Sequence, residues 1–301
     1  MSKNLGLISP VRRTAFSIVV SRRVISLAVY FIMTVWSMVA PGRSYGHGDT
    51  HARLEYLSHV ISNETESAEL FLQRGQVHAQ HGDWDKAISD YERAERLEPD
   101  TEHIDLLMGK ALRQSKQFAE AVARLDRYII KHPDSAGAFL ARARAHAAAR
   151  HVDPASRDFA EVAELAPNPD AYVEWAKLLA STNRTDEAIQ RLEEGCSTLG
   201  PLITLQVKII DFEISRENYA RALERIDTIL ASTPRKESWL ARKGDVLKKA
   251  GQSTAATDAY KKALVALRRL PSRHRFSTSM QNLEKTLAQK LNRENNKVNA
   301  Q

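Results

Sequence analysis

Cysteine is almost missing from this chain. Cys196 stands alone in 301 residues, so no internal disulfide framework can hold the fold. Beside Gly195 it reads as a small apolar residue; a reactive thiol or an intermolecular bridge is the other reading. Aromatic residues make up only 7%. No stretch alternates apolar and polar residues as a strand would, and no long low-complexity tract interrupts the chain. Gly-rich phosphate loops, a Gly-x-Ser-x-Gly nucleophile turn and Cys/His clusters at zinc spacing are all lacking. Acidic residues are numerous but fall at salt-bridge spacing on outward helical faces. No convergent acid, base and nucleophile is visible, which argues against an enzyme and against a cofactor.

Acidic residues are also absent from positions 1–46, and this changes the reading of the net charge. The formal charge is +7, from 44 basic and 37 acidic residues. Six of the basic residues lie in that leader (Lys3, Arg12, Arg13, Arg22, Arg23, Arg43), so the rest of the chain holds 38 against 37. A nucleic-acid reading built on the basic balance therefore loses its support. Residues 24–40 carry no charge, follow arginines and precede Pro41-Gly42. This is the layout of an export signal, with Ser44 and Gly46 as the small residues before a cut at His47. The alternative is an uncleaved anchor, since seventeen apolar residues reach the lower limit for spanning a bilayer. Either way residues 47–301 are expected outside the cytoplasm, periplasmic or secreted, or tethered to the inner membrane.

What the chain has is a period. Alanines recur at 87, 121, 155, 188, 222 and 256, in steps of 34, 34, 33, 34 and 34. Twelve residues before them stand Gly75, Gly109, Ala143, Ala176, Ile210 and Gly244. A small residue on each of two consecutive helices lets them cross closely, and one such hairpin must be covered by the next. Residues 75–99 show the unit. His81-Gly82-Asp83 form the turn, Asp83 is placed to cap the second helix, Ala87, Tyr91, Ala94 and Leu97 share a stripe, and Pro99 ends it. Asp153-Pro154 reads as a cap followed by a proline at the first helical position. Ile210 breaks the small-residue rule, so its helix, around Thr204–Ile214, is expected to sit further out.

The pattern resembles the tetratricopeptide repeat (TPR) family. Phe71, Gly75, His78, Ala87, Tyr91, Ala94 and Pro99 occupy its signature positions, as do Phe139, Ala143, His146, Ala155, Phe159 and Pro167. The resemblance implies an all-α, right-handed superhelical solenoid. About six hairpins would run at 68–101, 102–135, 136–168, 169–202, 203–236 and 237–270. His78 and His146 fall on core-facing positions and read as packing residues; His132 reads as exposed. Residues 47–67 supply a linker and an N-terminal capping helix (Leu54, Leu57, Val60, Ile61). Residues 271–301 supply a C-terminal capping helix (Met280, Leu283, Leu287, Leu291) and a polar tail.

The resemblance further implies that the first helices line a concave groove. One residue past the small site stand Gln76, Lys110, Arg144, Lys177, Asp211 and Asp245, with Arg113 one turn beyond Lys110. Leu72, Leu106, Leu140 and Val173 form an apolar strip beside them. Such a groove suits a protein or peptide segment with acidic groups over the second to fourth repeats. The family's clamp for carboxylate tails of cytosolic chaperones uses Lys and Asn in its first repeat. Here those places hold Leu72 and Gln76, so the clamp is not matched. The function expected is an envelope scaffold or adaptor. The alternatives are a copper- or zinc-handling protein using His47, Asp49 and His51, and a membrane-anchored assembly factor that keeps residues 24–40.

Overall fold

The computed structural model describes residues 47–63, 67–101 and 103–298, with side chains from Thr50 to Arg293. The signal or anchor expected within residues 1–46 lies outside them. The described residues form fifteen helices: α1 (His47–Asn63), α2 (Ala68–His81), α3 (Trp84–Leu97), α4 (Ile104–Gln114), α5 (Phe118–Lys131), α6 (Ala136–Ala148), α7 (Val152–Leu165), α8 (Pro169–Ala180), α9 (Thr185–Leu199), α10 (Ile203–Ser215), α11 (Tyr219–Ser232), α12 (Glu237–Lys249), α13 (Ser253–Arg268), α14 (Ser272–Arg275) and α15 (Thr278–Val298). The chain divides into two units at Glu55/Tyr56, within α1. Everything below concerns the second unit unless stated. From α2 to α13 it is a solenoid of six helical hairpins.

The periodic alanines sit where the helices of each hairpin meet. All six are at most 1% exposed. The small site twelve residues earlier faces a large side chain sixteen residues later. A Cβ on Gly75 would lie 2.6 Å from the Tyr91 ring, one on Gly109 2.5 Å from Leu125, and one on Gly244 2.4 Å from Tyr260. Ala143 shares a core with Phe159, and Ala176 with Leu192. Ile210 faces Ile226 and is fully buried. The two helices of that hairpin approach each other less closely than those of the other five, as two large side chains require.

The turns keep the same register. Gly82, Lys116, Arg150, Asn183, Glu217 and Gly251 follow the first helices, and all have positive φ, between 61° and 83°. The left-handed conformation closes the helix end, and glycine adopts it without a Cβ clash. Side-chain caps are rarer than the sequence suggested. Asp83 stands at the N-cap of α3 but makes no capping hydrogen bond; its carboxylate accepts from Lys86 at 3.2 Å instead. Asp153 lies inside the first turn of α7, not before it, and pairs with Arg184 at 2.7 Å across to the next hairpin. Asn168 does cap: its side chain accepts from the Ala171 amide of α8 at 2.9 Å.

Charged pairs tie the hairpins internally and to one another. Arg74 grips Asp90 with two hydrogen bonds of 2.9 and 2.6 Å. Two repeats on, Arg142 grips Asp158 with the same two distances, and reaches Asp126 of the preceding hairpin at 2.6 Å. Asp90 and Asp158 are buried, so these pairs are shielded from solvent and salt. At the ends, α1 brings Leu57 (2% exposed) and Ile61 to the first core. Leu283, Leu287 and Leu291 of α15 cover Tyr260 and Ala263 of α13. Cys196 is half-buried, its thiol pushed up by burial, and accepts a hydrogen bond from Gln206 at 3.4 Å. His132 is half-buried rather than exposed, stacked on Tyr128 with ring centroids 4.3 Å apart.

His78 and His146 should give the array a pH dependence. The buried Nδ1 of His146 has no hydrogen-bond partner among the described residues, and that of His78 lies 3.5 Å from the Asp83 carboxylate. Burial pushes both imidazoles below their ordinary value of 6.5; Asp90 opposes this at His78 and Asp158 at His146. The unfolded chain therefore binds these protons first. Their contribution to stability is complete above about pH 6.5 and declines as pH falls through the folded values. Urea midpoints of the wild type and of a His78→Leu/His146→Leu variant should diverge in pH dependence below pH 6.5, the variant being flatter. Parallel profiles would remove the two histidines as the cause.

Candidate functional site

The first helices form the tighter layer of the array. Helix α2 approaches α4, α4 approaches α6, and α8 approaches α10, whereas no two second helices come as close. The groove residues named from the sequence all lie on this layer. The structure sorts them into three groups.

The middle group is brought together. Arg113 of α4, Arg144 and Ala147 of α6, and Glu174 and Lys177 of α8 line one recess of about 380 Å³, with Phe159 of α7 at its wall. Arg144 donates two hydrogen bonds to Glu174, of 2.8 and 2.7 Å, which raises its pKa. Lys110, next to this recess on α4, is pushed down by burial and then by Arg144. Arg113 is pushed down by the same two causes, opposed by Glu174. These directions record first the loss of solvent around the two side chains and second the like charge of Arg144. Lys110, Arg113 and Lys177 have no ion-pair partner among the described residues. An anion entering here would offset the like charge and form charge-assisted hydrogen bonds.

The last group is already neutralised. Asp211 receives Arg242 at 2.5 Å and Lys208 at 3.6 Å. Asp245 receives Lys290 of α15 and accepts from the Tyr260 hydroxyl at 2.8 Å. The acidic end of the groove inferred from Asp211 and Asp245 is therefore a set of internal ties. Gln76, at the other end, is exposed.

The apolar strip is mostly taken up by packing. Leu72 is 7% exposed and belongs to the first core; its edge also lines a separate cavity of about 640 Å³ with Leu97 and Pro99. Leu106, Leu140 and Val173 are half-buried against the cores beneath them. Glu174 was missed by the sequence reading, although a signal for it exists. The groove position of one repeat contacts the residue three places before the groove position of the next. Arg144 meets Glu174, and Asp211 meets Arg242.

Of the residues proposed for metal, the side chains of His47 and Asp49 lie outside the described residues. His51, in the first unit, is exposed and stands 3.5 Å from Glu55 one turn on. Among the described residues, no group of three or more His, Cys, Asp or Glu side chains is gathered for a metal ion. Among them too, no helix is long and apolar enough to cross a membrane.

Residues 78–145 match the family model for the tetratricopeptide repeat. The comparison with curated proteins found no match. A tetratricopeptide repeat protein from Parabacteroides merdae ATCC 43184 has a similar solved structure. It is 16% identical, with 88% of this chain and 98% of that one covered and a TM-score of 0.50. MamA from Desulfovibrio magneticus RS-1 is 18% identical over 50% of this chain and 85% of its own, with a TM-score of 0.47. Residues 78–145 thus carry tetratricopeptide repeat sequence, and the hairpin array, with its 34-residue register of helix contacts and turns, has the solenoid fold that such repeats build.

Proposed function

We propose that this protein is a non-enzymatic protein-interaction scaffold of the cell envelope. On this reading it holds an acidic segment of a partner protein against α4, α6 and α8. The observation that carries the proposal is the cluster Lys110, Arg113, Arg144 and Lys177. Arg113, Arg144 and Lys177 line an open recess that holds the Glu174 carboxylate, with Lys110 beside it, while the charges at positions 211 and 245 are tied internally. Fixed cations on rigid helices orient an acidic ligand at little entropic cost, and the half-buried Leu106, Leu140 and Val173 add apolar contact. The envelope location rests on the uncharged run at 24–40 and the basic leader before it.

The test is capture of exported proteins of the native host on the immobilised chain, identified by mass spectrometry. A Lys110→Glu/Arg113→Glu/Lys177→Glu variant is run beside the wild type. These three side chains hold no internal ion pair among the described residues, so helical circular dichroism should be unchanged. Retention of the partner should fall at least about tenfold in the variant, and should weaken with added salt in the wild type. Equal retention by both proteins would move the site off this face.

A further inference from the structure

A second charged surface lies at the far end of the array. Residues 259–283 contain no acidic residue but hold Lys261, Lys262, Arg268, Arg269, Arg273 and Arg275. Helix α13 buries Ala256, Ala259, Tyr260, Ala263 and Leu267 on one side. Its other side presents Lys261, Val265, Arg268 and Arg269 at steps of four, three and one, with Val265 49% exposed. After Pro271 the one-turn helix α14 adds the exposed Arg273 and the half-buried Arg275, and Phe276 follows at 62% exposure with the Arg275 guanidinium 5.5 Å from its ring centre. Lys262 is paired with Asp258 and Arg268 with Glu284. Lys261, Arg269, Arg273 and Arg275 have no ion pair among the described residues.

We propose that this surface docks the protein on an anionic phospholipid bilayer. Guanidinium groups pair with lipid phosphates in a fork geometry, and an exposed aromatic ring among them suits the boundary between headgroups and acyl chains. Each cation near an anionic leaflet raises partitioning by about fivefold. The exposed Phe276 and Val265 favour lipid over nucleic acid, because an intact duplex offers no apolar layer for them to enter. The proposal is independent of the groove on α4, α6 and α8.

The test is co-sedimentation of the full chain with vesicles of phosphatidylcholine alone, or with about 30 mol% phosphatidylglycerol. Binding should require the anionic lipid and weaken with salt. Neutralising three arginines, R269Q/R273Q/R275Q, should lower the partition coefficient about a hundredfold. Phe276→Ser, at an exposed site that does not support the core, should lower it about tenfold. A control, R150Q/R157Q/R221Q, removes the same charge from exposed positions elsewhere and should change binding less than about threefold. Equal binding to both vesicles, unaffected by the variants, would assign membrane contact to residues 24–40 and overturn the proposal. So would an equal loss in the control. Binding to polyglutamate that the triple variant loses, with no preference for anionic vesicles, would assign the surface to an acidic protein instead.

Discussion

Gly244→Leu should unfold the last hairpin of the array, at a cost of about 3 kcal/mol or more. A Cβ at 244 would stand 2.4 and 2.5 Å from two atoms of the Tyr260 ring. That ring cannot swing aside: it is fully buried, and its hydroxyl is held by Asp245 at 2.8 Å. The whole leucine side chain would enter space the ring already fills. Gly244→Ala is a milder case, because about 1 kcal/mol of improved helix propensity offsets part of the clash. The mechanism is tested by a second change. In a Tyr260→Ala background, which is itself destabilised by the cavity it leaves, Gly244→Leu should recover stability rather than lose it. Urea unfolding of the four proteins measures this. If the glycine substitution costs the same in both backgrounds, the close approach to Tyr260 is not the reason for glycine. The fifth hairpin shows the other solution to the same constraint: Ile210 and Ile226 are both large, and their helices stand further apart.

Arg142→Met should cost about 3–5 kcal/mol, because it leaves a buried carboxylate unpaired. Asp158 is 3% exposed and receives two hydrogen bonds from Arg142. Asp126, the third member, keeps a side chain 48% exposed and can be solvated when the arginine is lost. The penalty therefore falls on Asp158. The double variant Arg142→Met/Asp158→Leu removes both charges and fills similar volume, so it should be more stable than Arg142→Met alone. Thermal unfolding of the single and double variants checks this. A double variant no more stable than the single one would mean that the arginine acts through its packing on Phe139, 5.5 Å from its guanidinium, and not through the charge.

The two arguments share a lesson about where information lies. Sequence spacing placed Gly244 and Ala256 on facing helices, because a helical hairpin with a short turn allows few registers. It did not show that the glycine meets Tyr260, sixteen residues on, since that depends on how far the second helix is rotated. The groove residues repeat the point. Lys110, Arg144, Lys177, Asp211 and Asp245 occupy one helical position by counting alone. Whether each is available to a ligand depends on the neighbouring repeat. Arg242 and Lys290 neutralise the two aspartates, Glu174 takes hold of Arg144, and Lys110 and Lys177 keep no such partner. The expected caps failed for a related reason. Asp83 and Asp153 have side chains suited to capping, but Lys86 and Arg184 offer them charged partners instead.

The sequence by itself determined the helical hairpins, their 34-residue period and the close crossing wherever a glycine or alanine stands twelve residues before the periodic alanine. These are local consequences of side-chain size, turn chemistry and amphipathic spacing, which act within one repeat. Only the tertiary structure decided which charges are tied and which remain open, how the isoleucine hairpin relaxes, and how much of the apolar strip is left uncovered. The charges and the strip depend on side chains of the next repeat or of the C-terminal helix, and the isoleucine hairpin on how its own two helices pack; no spacing rule specifies the reach and rotation of those side chains.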